Sequence, residues 1–277
     1  MVKNLLISIV TPSYNQGKFI EETILSVKNQ NYQNFEHLII DGGSTDKTLD
    51  IIRKYEGTYN MRWVSESDNG PVDALNKGFK MAKGDIFAWI NTDDYYEPNV
   101  FNEINRIFLA NKDIDFVVGD AYWIKEDGGK ILVKIKRKEI SVDELVKYGN
   151  FIDQSATFWT SRIFKKTGFL NTELKYTFDY ELWIRMFKLN IKYLYLQKPL
   201  ASFKPHKGAI SFDNRKEVMK EMYEVGKEYS YNKKFLPQII KYPRAKYYKF
   251  FDKFQELMPG LYNLIKKYSY KILNKLS

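Results

Sequence analysis

Four polar clusters hold most of the groups in this 277-residue chain that could do chemistry. The first is Thr11-Pro12-Ser13-Tyr14-Asn15. Its hydroxyls and exposed backbone groups can hold a base or a ribose, though the segment also reads as an ordinary strand-to-helix turn. The second is Asp41-Gly42-Gly43-Ser44-Thr45-Asp46. Its glycines let a ligand approach the backbone closely, and Asp41 can accept a bond from a base N–H. A plain turn with a helix cap accounts for the same residues. The third runs from Glu66 to Gly70 and continues through Asp73-Ala74-Leu75-Asn76-Lys77-Gly78. Asp73, Asn76 and Lys77 fall three and four apart, so a helix would present them on one face. That face could meet a phosphate or a sugar, or only solvent. The fourth is Asn91-Thr92-Asp93-Asp94, directly after an apolar run. Hard cations such as Mg²⁺ take oxygen ligands, commonly one or two carboxylates plus substrate phosphates. Asp93 and Asp94 suit that role, and a helix cap is the alternative.

Each cluster follows an element that can position it. Leu5 to Pro12 reads as a buried strand and Lys18 to Asn29 as a helix. Phe35 to Ile40 is a second strand, and the helix after it is expected to be capped by Ser44 or Thr45. Arg62 to Ser65, Asp85 to Ile90 and Phe116 to Val118 continue the series of strands. Helices over 71–82 and 98–109 alternate with them. This rhythm predicts an α/β fold with a mostly parallel sheet flanked by helices. In such sheets ligands bind beyond the carboxyl ends of the strands, where three of the clusters lie. Later segments are less regular. A hairpin is expected around Asp127-Gly128-Gly129, a helix over 178–189, short strands over 193–196 and 201–204, and a helix over 213–230.

Composition narrows the classes. Hydrophobic residues make up 44%, enough for a sizeable core, and there is no cysteine. Disulfides, thiolate metal sites and a cysteine nucleophile are excluded. The apolar run from Leu5 to Val10 is too short for a signal-peptide core. No stretch is long and apolar enough to read as a membrane span. A cytoplasmic location follows as the expectation.

Taken together, the four clusters resemble the family 2 glycosyltransferases in order, spacing and strand context from Ile7 to about Asp94, and again between about Asp153 and Ser211. The resemblance implies the GT-A fold, related to the Rossmann arrangement, and inverting transfer from a nucleoside-diphosphate sugar. It places the donor nucleotide against Thr11, Pro12, Ser13, Tyr14, Asp41, Glu66, Asp73, Asn76, Lys77, Asn91 and Thr92. The family's usual Asp-x-Asp metal motif reads Asn91-Thr92-Asp93 here. Asp93 is then the expected ligand to a divalent metal, Mg²⁺ or Mn²⁺, and His206 a late-sequence contact to metal or diphosphate. The segment Phe151-Ile152-Asp153-Gln154-Ser155 looks like the acceptor side. Phe178-Asp179-Tyr180-Glu181 looks like the segment that supplies the catalytic base, Asp179. The acceptor is expected to be a glycan or a lipid-linked sugar, as in surface polysaccharide biosynthesis.

The expected organisation is a transferase domain over 1–232, divided near residue 118, and a basic tail over 233–277. The tail holds eleven Lys and Arg against two Asp and Glu, so it carries +9 of the net charge of +10. Ten aromatics are interleaved with those cations. A helical extension on an anionic membrane surface is one reading, which would make the chain peripheral on the inner face of the cell membrane. Packing on the body or dimerisation is another. Two rival functions remain: a catalytically silent nucleotide-sugar-binding protein of the same fold, and a nucleic-acid-binding protein working through the tail. The second leaves the acidic strand ends unexplained, so no nucleic acid is expected. A dinucleotide oxidoreductase is disfavoured because no Gly-x-Gly-x-x-Gly follows the first strand.

Overall fold

A computed structural model of the chain describes residues 4–125, 127–204, 206 and 209–230. The tail expected over 233–277 lies outside the described residues.

The inner strands of the first half are largely apolar because both faces of the sheet are covered there. β1 (Ile7–Ser13) and β2 (Phe35–Asp41) are buried along their whole length. β3 (Met61–Ser65) and β4 (Ile86–Trp89) complete the parallel half, in the order β3-β2-β1-β4. Three helices connect them: α1 (Ile20–Lys28), α2 (Thr48–Tyr55) and α3 (Pro71–Met81). The chain therefore steps outward from β1 to β3 and then crosses back to β4. This change of direction opens a crevice beside β1 and β4, where open α/β sheets bind ligands.

Beyond β4 the sheet becomes mixed. β5 (Asp94–Tyr96), α4 (Val100–Ala110), β6 (Ile114–Ile124) and β7 (Lys130–Val133) come next. α5 (Val142–Tyr148), a 3₁₀ turn (Gln154–Ala156), β8 (Thr157–Thr160) and α6 (Ser161–Thr167) follow. α7 (Phe178–Lys188), β9 (Lys192–Phe203), α8 (Ile210–Asp213) and α9 (Arg215–Tyr229) complete the described chain. The path is β3-β2-β1-β4-β8-β6-β9-β5, with β7 paired to β6. The α/β expectation is met, but the parallel part is confined to the first four strands and the β6–β9 pair. β8 runs antiparallel to both of its neighbours.

Two further expectations differ. The helix after β2 starts at Thr48, without a cap from Ser44 or Thr45. The Ser44 hydroxyl is engaged by Asp41 instead, and Asp46 receives the Thr48 N–H at 2.9 Å. The two short strands expected over 193–204 are one strand, β9, whose pairing with β6 carries register shifts around Gly119, Asp120 and Ala121.

The parallel half of the sheet and the segments that follow it are joined through tryptophan. Trp89 at the end of β4 stacks on Trp183 of α7 with ring centroids 5.7 Å apart, and Trp159 of β8 meets both edge-on. All three are fully buried. Asp179 lies four residues before Trp183, on the same helix face. The stack therefore fixes the start of α7 over the carboxyl end of β4.

Candidate active site

The ends of β1, β2 and β3 stand in one row, with Ser13 opposite Asp41 and Asp41 opposite Ser65. Asp41 is fully buried. Its carboxylate accepts bonds from the N–H groups of Gly43 (3.1 Å) and Ser44 (2.8 Å) and from the hydroxyls of Ser44 (2.5 Å) and Ser65 (2.8 Å). Four donors fill the usual capacity of a carboxylate. These bonds tie the glycine loop to β3. Gly43 takes φ +82°, a conformation that favours glycine. The same loop is tied to the first cluster, because the Asn15 N–H donates to Ser44 Oγ at 2.7 Å and the Thr45 N–H donates to Asn15 Oδ1 at 2.9 Å.

Within the first cluster the roles divide. Thr11 is turned inward and pairs with His37 Nε2 at 2.9 Å, and His37 Nδ1 meets the Tyr59 hydroxyl at 2.7 Å. Burial holds His37 down to about 3, so it is neutral and structural. Pro12 is buried within β1. The Ser13 hydroxyl is buried without a hydrogen-bond partner, whereas Tyr14 is 59% exposed. A buried polar atom without a partner is unusual, and this one lies at the strand end that faces the crevice.

On the third cluster, Lys77 pairs with Glu66, and the Asn69 N–H donates to Asp73 at 3.3 Å. These groups form a polar rim. Asn76 departs from the expected shared face. It is buried, with its Nδ2 donating to the Leu170 carbonyl and its Oδ1 accepting the Leu170 N–H, each at 2.9 Å. It fastens α3 to the turn after α6. Asp68, which sequence reasoning left without a role, stands close against Gly42. Burial raises its carboxyl, with Asp73 and Asp41 adding to the shift.

The fourth cluster meets residues from the later part of the chain. His206 Nε2 lies 3.1 Å from Asp93 Oδ2, and the imidazole stacks on Phe19 with centroids 4.4 Å apart. Asn91 Nδ2 is 3.3 Å from both Asp94 Oδ2 and Gln154 Oε1. Gln154 in turn donates to the Trp89 carbonyl at 2.7 Å. Thr92 is buried, and its carbonyl accepts the Thr23 hydroxyl at 2.9 Å. Asp94 is pushed well above the usual carboxylate range by burial, and then by the charges of Asp93 and Asp153. Asp153 is also raised by burial. Asp179 is pushed up to about 6, chiefly by burial, with Asp153 adding to the shift. The Asn150 side-chain amide donates to Asp179 Oδ2 at 2.7 Å, and the Tyr180 N–H donates to Oδ1 at 2.7 Å. Both bonds favour the ionised form. Asn150 was missed in the sequence. Its only signal there is a polar residue just ahead of the Phe151 segment.

A row of four carboxylates, Asp93, Asp94, Asp153 and Asp179, therefore runs from the crevice beside β4 to the start of α7. Like charges gathered in this way favour a cation. The donor set of Asp93 and His206, one carboxylate and one imidazole, fits a divalent ion whose remaining positions come from substrate phosphates. Among the described residues no group of three or more His, Cys, Asp or Glu is arranged to hold a metal by itself.

Comparisons with known proteins bear on the family and on the fold. The glycosyl transferase family 2 model matches residues 8–183. An uncharacterized glycosyltransferase of Rickettsia typhi is 30% identical over 199 residues, covering 68% of this chain and 60% of that protein. The chain thus spans less than two thirds of that relative's length. The Escherichia coli protein WfaP, named UDP-Glc:alpha-D-GlcNAc-diphosphoundecaprenol beta-1,3-glucosyltransferase, is 28% identical over 219 residues. That match covers 78% of this chain and 84% of WfaP. Among solved structures, S. aureus TarS 1–349 in complex with UDP-GlcNAc superposes with a TM-score of 0.64 at 20% identity, covering 79% of this chain and 65% of that one. The mannosyltransferase PcManGT from Pyrobaculum calidifontis, in complex with GDP-Man and Mn²⁺, gives 0.62 at 14% identity, covering 86% and 69%. These structures share the fold with the chain. With the family match spanning well over half of the sequence, the chain belongs to glycosyl transferase family 2.

Proposed function

We propose that the protein is an inverting glycosyltransferase that moves a sugar from a nucleoside-diphosphate donor to a hydroxyl of a lipid-linked or other glycan acceptor. The observation that carries this reading is the continuity of the carboxylate row. A proton acceptor, Asp179, and a cation-binding pair, Asp93 and His206, sit at opposite ends of one acidic strip. Asp179 takes the proton from the acceptor hydroxyl as that oxygen attacks the anomeric carbon. The new C–O bond forms on the face opposite the diphosphate. The old C–O bond breaks, and its electron pair leaves with the nucleoside diphosphate. Asn150 holds the Asp179 carboxylate in place for the transfer. Asp93 and His206 would hold a divalent metal, and when bound it stabilises the negative charge developing on the diphosphate. Ser13, Tyr14 and the rim of Glu66, Asp73 and Lys77 border the nucleotide. Asp41 and Asn76 support the loops behind it. A lipid-linked acceptor and the Lys-rich tail fit a protein working at the cytoplasmic face of a membrane.

A thermal-shift screen with UDP, GDP, dTDP and CMP, each with and without Mn²⁺ or Mg²⁺, tests the donor site. A ligand that binds only the folded state stabilises it by about 2.7 kcal/mol at a hundredfold excess over Kd. The expected result is a metal-dependent rise with one nucleoside diphosphate, lost in Asp93→Ala. No rise with any nucleotide, or one indifferent to metal and to Asp93, would overturn the assignment.

A further inference from the structure

The start of α7 carries Asp179, yet it is not held by a cap of its own. The N-cap residue, Thr177, makes no side-chain bond to the first turn, and its hydroxyl is buried without a hydrogen-bond partner. The first N–H groups of a helix have no partners inside it, so an uncapped start frays unless the chain leading into it is fixed from elsewhere. Here that chain is fixed from α9. The Glu221 carboxylate accepts the N–H groups of two successive residues, Lys175 through Oε1 at 2.8 Å and Tyr176 through Oε2 at 3.0 Å. Bonds of this kind are charge-assisted and roughly twice as strong as neutral ones.

The same helix reaches the surroundings of Asp179 at two more points. The Asn150 N–H meets Met222 Sδ at 3.5 Å, and the Asn150 amide donates to Asp179. The Tyr229 hydroxyl donates at 2.6 Å to Glu181 Oε1, two residues after Asp179. Glu181 is buried and also receives Arg185, one turn further along α7. Met222, Val225 and Tyr229 fall three and four apart, so they share one face of α9, and that face packs on the same core as Trp183. Residues before, beside and after Asp179 thus all bond to a single helix. That helix lies beyond residue 183, where the family match ends.

We propose that Glu221 is a positioning residue for the reaction: through the backbone of Lys175 and Tyr176 it sets the start of α7 so that the Asp179 carboxylate meets the acceptor hydroxyl. This rests on the reading of Asp179 as the base and adds the element that places it. A carboxylate suits the position because one side chain must accept from two successive N–H groups, and its two oxygens offer one to each. The consequence of losing it is geometric. Misplacing a catalytic group by about 1 Å can lower the rate about 10²-fold.

The test pairs amide hydrogen exchange of the full chain with release of nucleoside diphosphate from UDP-glucose, UDP-GlcNAc and GDP-mannose in the presence of Mn²⁺, water serving as the acceptor. In Glu221→Ala, exchange over 174–181 is expected to quicken about tenfold or more, while that of β1 and β2 stays as in wild type. Its kcat is expected to fall about 10- to 100-fold, with the donor KM and the nucleotide thermal shift unchanged. Glu221→Gln, which keeps one oxygen acceptor and loses the charge, is expected to fall in between. In an Asp179→Asn background Glu221→Ala is expected to lower turnover no further, because a positioning residue acts only through the base. A purely structural Glu221 would lower the melting temperature and leave the kcat of the folded protein where it was. That result overturns the proposal, and so does a further loss in the Asp179→Asn background or unchanged exchange over 174–181. The two readings fail separately. Full turnover in Asp179→Asn removes the base and the proposal with it, whereas a loss in Asp179→Asn with none in Glu221→Ala removes only the hold from α9.

Discussion

In the proposed reaction Asp179 is the base at the working pH, and yet it sits partly out of water. Burial pushes its carboxyl up to about 6, while the Asn150 amide and the Tyr180 N–H pull it back. A base works only when ionised, so turnover is expected to rise with pH through about 6 and to level off above it. Asn150→Ala removes a donor that favours the carboxylate. The acid limb of its kcat/KM profile should therefore move to higher pH, whereas a purely structural Asn150 would lower the plateau without moving the limb. Asp179→Asn should reduce turnover by about 10² to 10⁴, the usual worth of general-base catalysis, and keep the nucleotide-dependent thermal shift. The residue types at these points were legible in the sequence. The bonds that hold them in place were not, because the partners of Asp41 and Asn76 come in part from distant segments of the chain. Ser44, Ser65 and the Gly43 N–H close around Asp41, and Leu170 lies 94 positions from Asn76.

At the level of elements, the site depends on how closely α3 lies against the sheet. A Cβ placed on Gly78 would come 2.3 Å from Val10 Cγ1 and 3.2 Å from Ile40 Cγ1. Only a glycine lets the helix carrying Asp73 and Lys77 approach the ends of β1 and β2 so tightly. Gly78→Ala gains helix propensity of about 1 kcal/mol, but overpacking a filled core costs about 1–3 kcal/mol. The net effect should be a lower melting temperature together with weaker nucleotide binding, because α3 must move outward and take Lys77 with it. A melting temperature at or above wild type would show that the contact relaxes freely. The same packing explains which elements the sequence displayed. β1, β2 and β4 are buried on both faces and read as apolar runs bounded by polar clusters. α5, α6 and β8 are only four to seven residues long and lack a sustained period. β9 was divided in two because Gln197, Lys198 and Pro199 interrupt its apolar pattern at the irregular register with β6.

Across the whole molecule, function depends on distant segments meeting. His206 lies 113 positions from Asp93 and reaches it because β9 pairs with β5, which begins at Asp94. Pairing of that kind leaves no local trace in a sequence, so the assignment of His206 came from family resemblance alone. Charge, by contrast, is distributed by composition and was fully legible. The body over 1–232 holds 33 basic and 32 acidic residues, while the tail over 233–277 carries +9. No described helix is long and apolar enough to cross a membrane. The proposed lipid-linked acceptor would require the protein to reach a bilayer, and the tail is the candidate for that contact. The tail offers eleven cations and ten aromatics. Cations near an anionic surface contribute about 1 kcal/mol each, and their attraction fades within a Debye length of about 8 Å at physiological salt. The full chain is therefore expected to float with phosphatidylglycerol liposomes at low salt and to be released as salt rises. A 1–232 truncation should stay in the soluble fraction and still bind nucleotide. Equal flotation of the two chains would shift membrane recruitment from the tail to the body over 1–232.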